Sequence, residues 1–177
     1  MEWKIDESIR EKVLKFKGDY ERLFSEMTDP MGNLSEEVIV YLKQNNLWGD
    51  QEAILNVICV LPGCHFRHYL YSHYYKITDK PDEIITNPEC KVWKVDREIL
   101  LKIQSAAEEY EERENCLRQM RDAFEKEIFQ YLQETGLWDN AEALVEMRLL
   151  LPTCLIQHKL DERWYELYQK ENGADGN

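Results

Sequence analysis

Residues 41–53 read YLKQNNLWGDQEA, and residues 131–143 read YLQETGLWDNAEA. The likeness extends over the whole chain at a shift of 90 residues, so that LPGCHFRH at 61–68 aligns with LPTCLIQH at 151–158 without a gap. Of the 87 residue pairs in this register, 22 are identical, and they cluster in blocks. Self-similarity at a fixed period is the signature of a repeated folding unit. The sequence therefore predicts two tandem copies of one unit.

The quoted stretch itself predicts a tight corner between two helices. Asn46 aligns with Gly136, and these two residue types best tolerate the left-handed conformation that closes a helix. The next helix is then expected to begin at Gly49 or Asp139, and Asp139 with Glu142 resembles a capping box. This next helix is almost wholly apolar in both copies, which predicts the buried centre of each unit.

Helical spacing of apolar residues dominates the remaining sequence, and no strand pattern is convincing. We expect an all-α protein with two duplicated four-helix units. The first unit is assigned to residues 1–78, a connector to 79–92, the second unit to 93–170, and a disordered tail to 171–177.

Within each unit, the first helix is expected to follow Asp6 or its counterpart Asp96 as the N-cap. Residues 29–33, DPMGN, predict a break before a second helix, whereas residues 119–123 contain neither proline nor glycine. Residues 97–134 are therefore compatible with one long helix or with a kinked pair. The fourth helix of each unit is expected to start at Pro62 or Pro152.

Charge and composition exclude several classes of protein. The net charge is −13, with 10 basic against 16 acidic residues in 1–90 and 12 against 19 in 91–177. Such a surface repels phosphate backbones, so direct nucleic-acid binding is not expected. No apolar run is long enough for a membrane helix and no secretion signal is recognisable, which predicts a cytoplasmic protein. The five cysteines are widely spaced, without CxxC, and we expect them to be buried free thiols.

One helix concentrates residues typical of binding surfaces. Residues 65–75, HFRHYLYSHYY, hold three histidines and four tyrosines, whereas the aligned residues 155–165 hold one of each. Tyrosine and arginine are over-represented at binding hot spots. We predict that a partner protein contacts His65, Arg67, Tyr69, Tyr71 and Tyr74. Packing of the same side chains against neighbouring helices is an equally good explanation.

Two Cys-x3-His pairs form the candidate metal site. Residues four apart on a helix point the same way, so two pairs brought together would supply four zinc ligands. These ligands would be Cys64, His68, Cys154 and His158. Packing of small buried cysteines accounts for the pattern more simply, and no other cofactor is predicted.

The sequence favours a non-enzymatic interaction or regulatory protein over an enzyme. It contains no phosphate-binding loop, nucleophile elbow, HExxH motif or EF-hand loop. The expected partner is another protein, with a basic surface that complements the acidic chain. The alternatives are an acidic inhibitor that mimics nucleic acid, a zinc-binding protein that uses the Cys-x3-His pairs, and a small-ligand site where the halves meet.

Overall fold

The structure, a computed structural model, describes residues 3–78, 90, 92–152 and 155–173. Within these residues the fold is all-helical, as predicted, and contains no strand. The elements are α1 (Glu7–Gln44), α2 (Gln51–Val60), α3 (His65–Thr78), α4 (Arg97–Glu134), a 3₁₀ turn (Leu137–Asp139), α5 (Ala141–Leu150) and α6 (Leu155–Gly173).

The expected break at residues 29–33 is wrong. Helix α1 runs through Pro30 without interruption, and α4 is one continuous helix of 38 residues, which settles the alternative left open for 97–134. Each half of the sequence therefore contributes three α-helices to the described structure rather than the four that we expected.

The continuity of α1 at Pro30 has a long-range cause. Proline has no N–H, so the carbonyl of the residue four positions earlier loses its helical donor. That residue is Glu26, and its carbonyl oxygen instead accepts a hydrogen bond from the guanidinium of Arg113 on α4. Met27, Met31 and Leu34 on the same stretch are buried, so packing also holds this part of the helix straight.

The predicted corner at the end of each long helix is confirmed. Asn46 has φ of 57° and Gly136 has φ of 75°, both in the left-handed region. The Leu47 amide donates to the carbonyl of Leu42 at 2.7 Å, which closes the last turn of α1.

The short helices start later than expected. The N-caps are Asp50 and Asn140, whose side chains accept from the amides of Ala53 at 3.2 Å and Ala143 at 3.0 Å. Asp139, expected to be a cap, lies in the 3₁₀ turn and pairs with Arg163 instead. A carboxylate or amide directly before the helix is a better cap than Gly49. Likewise α3 and α6 begin after Pro62 and Pro152, not at them.

The chain divides into two compact units. Unit 1 comprises residues 1–24 and 116–177, and unit 2 comprises residues 25–115. The compact units are defined by packing, whereas the predicted units 1–78 and 93–170 are defined by matching sequence. The packing does not test the sequence repeat, which stays a prediction. Of the predicted connector, residues 79–89 and 91 lie outside the described residues. Residues 171–173 of the expected tail belong to α6.

Unit 1 packs the start of α1, the end of α4, α5 and α6 around one apolar core. Phe16 and Phe124 stack with ring centroids 3.9 Å apart. Glu146 is only 9% exposed, and its carboxylate accepts from the amides of Lys4 at 2.8 Å and Ile5 at 3.2 Å. The segment before α1 is thereby held on α5.

Unit 2 packs the C-terminal part of α1, α2, α3 and the start of α4 around a second apolar core. Asn56 on α2 is fully buried. Its amide donates to the carbonyl of Val92 at 2.8 Å and accepts from the amides of Lys94 at 2.7 Å and Val95 at 3.3 Å. The segment before α4 is thereby held on α2.

Two cysteines of unit 2 contradict the expectation of free thiols throughout. Cys59 on α2 and Cys90 are paired as a disulfide. Cys64 and Cys116 are free, the first buried and the second exposed. The pairing fastens the chain just before α4 to the outer side of α2.

The role of Arg113 is tested by a double-mutant cycle with Pro30. Arg113→Met leaves the Glu26 carbonyl without a donor and should lower the free energy of unfolding by about 1 kcal/mol. In a Pro30→Ala background, where the helical N–H is restored, the same change should have almost no effect. Urea denaturation of the four proteins measures the coupling, and equal effects of Arg113→Met in both backgrounds would contradict this explanation.

Asp50 should make stability depend on pH. A hydrogen bond from Lys94 holds the pKa of the Asp50 carboxyl below its ordinary value of 3.8, and hydrogen bonds from the Ala53 and Glu52 amides also lower it. A lowered pKa stabilises the fold above about pH 4, and this stabilisation disappears as the pH falls through the folded-state pKa. Asp50→Asn, which copies Asn140, should cost up to about 1 kcal/mol at pH 7, and this cost should shrink as the pH falls below about 4 and through the folded-state pKa. A pH-independent difference in urea denaturation would refute this assignment.

Candidate interaction surfaces

Helix α3 exposes only part of the predicted partner-binding set. His65 and Tyr69 are exposed, with 51% of Tyr69 accessible. Arg67 and Tyr71 are half-buried, and the guanidinium lies 5.8 Å from the centre of the tyrosine ring. Tyr74 is 8% exposed and belongs to the core of unit 2. We therefore remove Tyr74 from the surface set and keep the other four as a predicted surface.

Tyr69 borders an aromatic cluster at the helix corner. The Trp48 ring stacks on His73 with centroids 3.9 Å apart and lies 6.2 Å from Tyr69. Nε2 of His73 is 2.8 Å from the carbonyl oxygen of Trp48, so the histidine fixes the backbone as well as the ring. Lys43 also contacts this cluster, with Nζ 5.4 Å from the centre of the Trp48 ring. The cluster gives α3 a rigid aromatic edge.

The candidate metal ligands are not assembled into a described site. Cys64 is buried and His68 exposed in unit 2, and His158 is exposed in unit 1, whereas Cys154 lies outside the described residues. Among the described residues no group of three or more His, Cys, Asp or Glu side chains could hold a metal ion. The zinc site and the nucleic-acid mimic stay predictions from sequence.

Unit 1 carries an exposed apolar surface that the sequence reasoning missed. Helix α5 was expected to be wholly buried, yet Val145 is 39% and Leu149 65% exposed. On the neighbouring α6, Tyr165 is 56% and Tyr168 50% exposed. We call these four residues the α5–α6 face. Residues 145 and 149 are four apart on α5 and residues 165 and 168 are three apart on α6, so each pair lies on one side of its helix.

The surroundings of the α5–α6 face form a groove with a charged rim. A cavity of about 570 Å³ is lined by Val145, Trp164 and Tyr165 among others. Trp164 stacks on Tyr168 with centroids 5.4 Å apart, which holds both rings in place. At the rim, Nε of Arg148 is 2.5 Å from Oδ1 of Asp161. Preformed aromatic walls with a polar rim are the usual composition of a binding surface.

The division of α3 into buried and exposed tyrosines is open to test. Tyr74→Ala removes a ring from the core of unit 2 and should lower the free energy of unfolding by about 3–5 kcal/mol. Tyr69→Ala, the same change at an exposed position of the same helix, should cost less than about 1 kcal/mol. Urea denaturation compares the two, and a similar loss in both variants would contradict the assigned burial.

Comparisons with known proteins add no family to these observations. No helix in the described ranges is both long and apolar enough to cross a bilayer. No protein-family model, curated protein or solved structure matches the chain.

Proposed function

We propose that the chain is a non-enzymatic protein–protein interaction protein that binds a segment of its partner on the α5–α6 face. The observation that carries this proposal is the exposure of Val145, Leu149, Tyr165 and Tyr168 on two adjacent helices. Exposed apolar side chains that are grouped and rimmed by polar ones are characteristic of interaction sites. A single exposed apolar residue is common on protein surfaces and does not indicate an interaction site, whereas a group of them does.

The aligned positions in unit 2 indicate what kind of segment fits. Under the 90-residue shift, Val145 corresponds to Leu55 and Leu149 to Cys59. Leu55 is only 9% exposed, its carbonyl oxygen is 3.4 Å from Sγ of Cys90, and Cys59 is bonded to that same Cys90. In unit 2 the chain itself covers this place with Cys90, which is not part of a helix. By analogy, an extended segment is the natural occupant of the α5–α6 face.

Charge restricts the partner further. Beside the Arg148–Asp161 pair, the rim of the groove carries the exposed Glu162, and the whole chain has a net charge of −13. Complementary charges steer association and suppress wrong partners. We therefore propose an extended segment with apolar side chains followed by Lys or Arg.

We also infer that the two halves descend from one duplicated unit. Three pairs of residues 90 apart support this inference, because the two members of each pair have the same role. Asn46 and Gly136 are left-handed helix ends, and Asp50 and Asn140 are N-caps. Asn56 and Glu146 are buried acceptors for backbone amides. On this inference, the framework was kept in both copies, and the covered face of one copy became a binding face in the other.

Affinity capture with matched variants tests the proposed function. Leu149→Glu places a charge on the α5–α6 face, and Leu101→Glu makes the same change at a leucine of unit 2 that is 52% exposed. A true partner captured from the native host should be retained by the wild type and by Leu101→Glu. Its affinity for Leu149→Glu should fall at least tenfold, or about 1.4 kcal/mol, in titration calorimetry of the purified pair.

Further arms separate this face from the surface on α3. Tyr69→Ala should leave capture unchanged if the α5–α6 face is the binding site. If capture is lost with Tyr69→Ala and with no other variant, the chain is still an interaction protein, but its binding site lies on α3. Identical captured proteins from all four baits, each shown to be folded by circular dichroism, would reject the proposal.

A further inference from the structure

A cavity in unit 2 is chemically distinct from the acidic surface of the chain. Its volume is about 350 Å³, and it lies among the C-terminal part of α1, the first turns of α3 and Tyr110 of α4. Met31, Ile39 and Phe66 give it apolar walls, and Ser35 and Tyr69 add hydroxyl groups. None of its lining residues is Asp, Glu, Lys or Arg, although 32% of the chain is charged.

Helix α1 leaves room for this cavity at Gly32. Glycine in a helix interior is less favourable than alanine because it has more backbone freedom to lose. A Cβ atom added at Gly32 would meet no atom within 4 Å, so packing does not require the glycine. What the missing side chain provides is space beside the cavity wall.

The aligned place in unit 1 has the opposite chemistry. Under the 90-residue shift, Met31, Gly32, Ser35 and Tyr69 correspond to Arg121, Asp122, Glu125 and Lys159. There Nη2 of Arg121 is 2.8 Å from Oδ1 of Asp122, and Lys159 pairs with Glu125. These four charged side chains, which all line one place in unit 1, have uncharged counterparts in unit 2.

We propose that unit 2 binds a small, neutral, largely aromatic molecule in this cavity. A neutral ligand follows from the wall, because an ion in an apolar site without a counter-charge loses its hydration without compensation. The size follows from the volume, because a dry apolar cavity of about 150 Å³ holds benzene and this one is about twice as large. The class is thus a bicyclic aromatic compound with a hydrogen-bonding group that reaches the hydroxyl of Ser35 or Tyr69.

The Tyr110 phenol at the cavity wall is neutral at physiological pH, in keeping with such a ligand. Burial raises the pKa of the Tyr110 phenol above its ordinary value of 10.0. The phenol therefore stays protonated and is a hydrogen-bond donor at the cavity wall. This site belongs to unit 2 and is independent of the proposed partner site on unit 1.

Fluorescence titration with N-phenyl-1-naphthylamine, a neutral probe that brightens in apolar sites, tests the proposal. The wild type should bind the probe with a micromolar Kd, and Gly32→Leu, which fills the cavity, should weaken binding at least tenfold. Gly18→Leu is the matched control, because Gly18 lies on the same helix and an added Cβ there also meets nothing within 4 Å. It should bind like the wild type, and both variants should melt at or above the wild-type temperature.

A second variant and a second readout keep the result unambiguous. Ser35→Glu/Tyr69→Lys installs the charge pair of unit 1 and should also weaken binding at least tenfold. Bound probe should slow alkylation of Cys64 by N-ethylmaleimide, followed by peptide mass mapping, and leave the exposed Cys116 unchanged. No binding by the wild type, or equal binding by Gly32→Leu, would overturn the proposal. Loss of the signal with Leu149→Glu instead would place the probe on the α5–α6 face, which also overturns it.

Discussion

The fold depends on one buried polar side chain in each unit that holds a non-helical segment against a short helix. Asn56 satisfies three backbone groups between Val92 and Val95, and Glu146 satisfies the amides of Lys4 and Ile5. An apolar residue at either place would leave buried backbone groups without partners, which is far more costly than the modest net gain of a single hydrogen bond. Each of these side chains joins parts of the chain that are distant in sequence, and each compact unit is accordingly assembled from both halves.

Local sequence rules predicted the features whose causes are local. The left-handed ends at Asn46 and Gly136 follow from the intrinsic preferences of those residues, and the apolar spacing identified the inner faces of the helices. The continuity of α1 through Pro30 could not be predicted in this way, because the donor that replaces the missing N–H is Arg113, far along the chain. The composition of the compact units was hidden for the same reason, since periodicity shows which face is buried and not which helix buries it.

The candidate surfaces follow the same division between local and distant causes. Tyr74 continues the stripe of Phe66 and Leu70 at four-residue steps, so its burial was within reach of the sequence. The exposure of Val145 and Leu149 was not, because apolar residues at helical spacing are typical of a buried face. Helix α2, the counterpart of α5, is covered by the chain at Cys90, and such coverage is a property of chain path that the composition of a helix does not contain.

The differences between aligned positions carry more information about function than either unit does alone. If stability were the only constraint, the aligned positions could carry the same charged or covered surfaces, because both units have a left-handed helix end, a side-chain N-cap and a buried acceptor for backbone amides. Instead unit 2 has Pro30 and Gly32 inside α1, both unfavourable in a helix interior, and Gly32 lines a cavity without Asp, Glu, Lys or Arg. Unit 1 leaves aromatic and aliphatic side chains in water at the place that unit 2 covers. Both features are unfavourable for stability, and they lie on surfaces that do not correspond to each other. Binding accounts for both, if unit 2 binds a small molecule and unit 1 binds a protein segment.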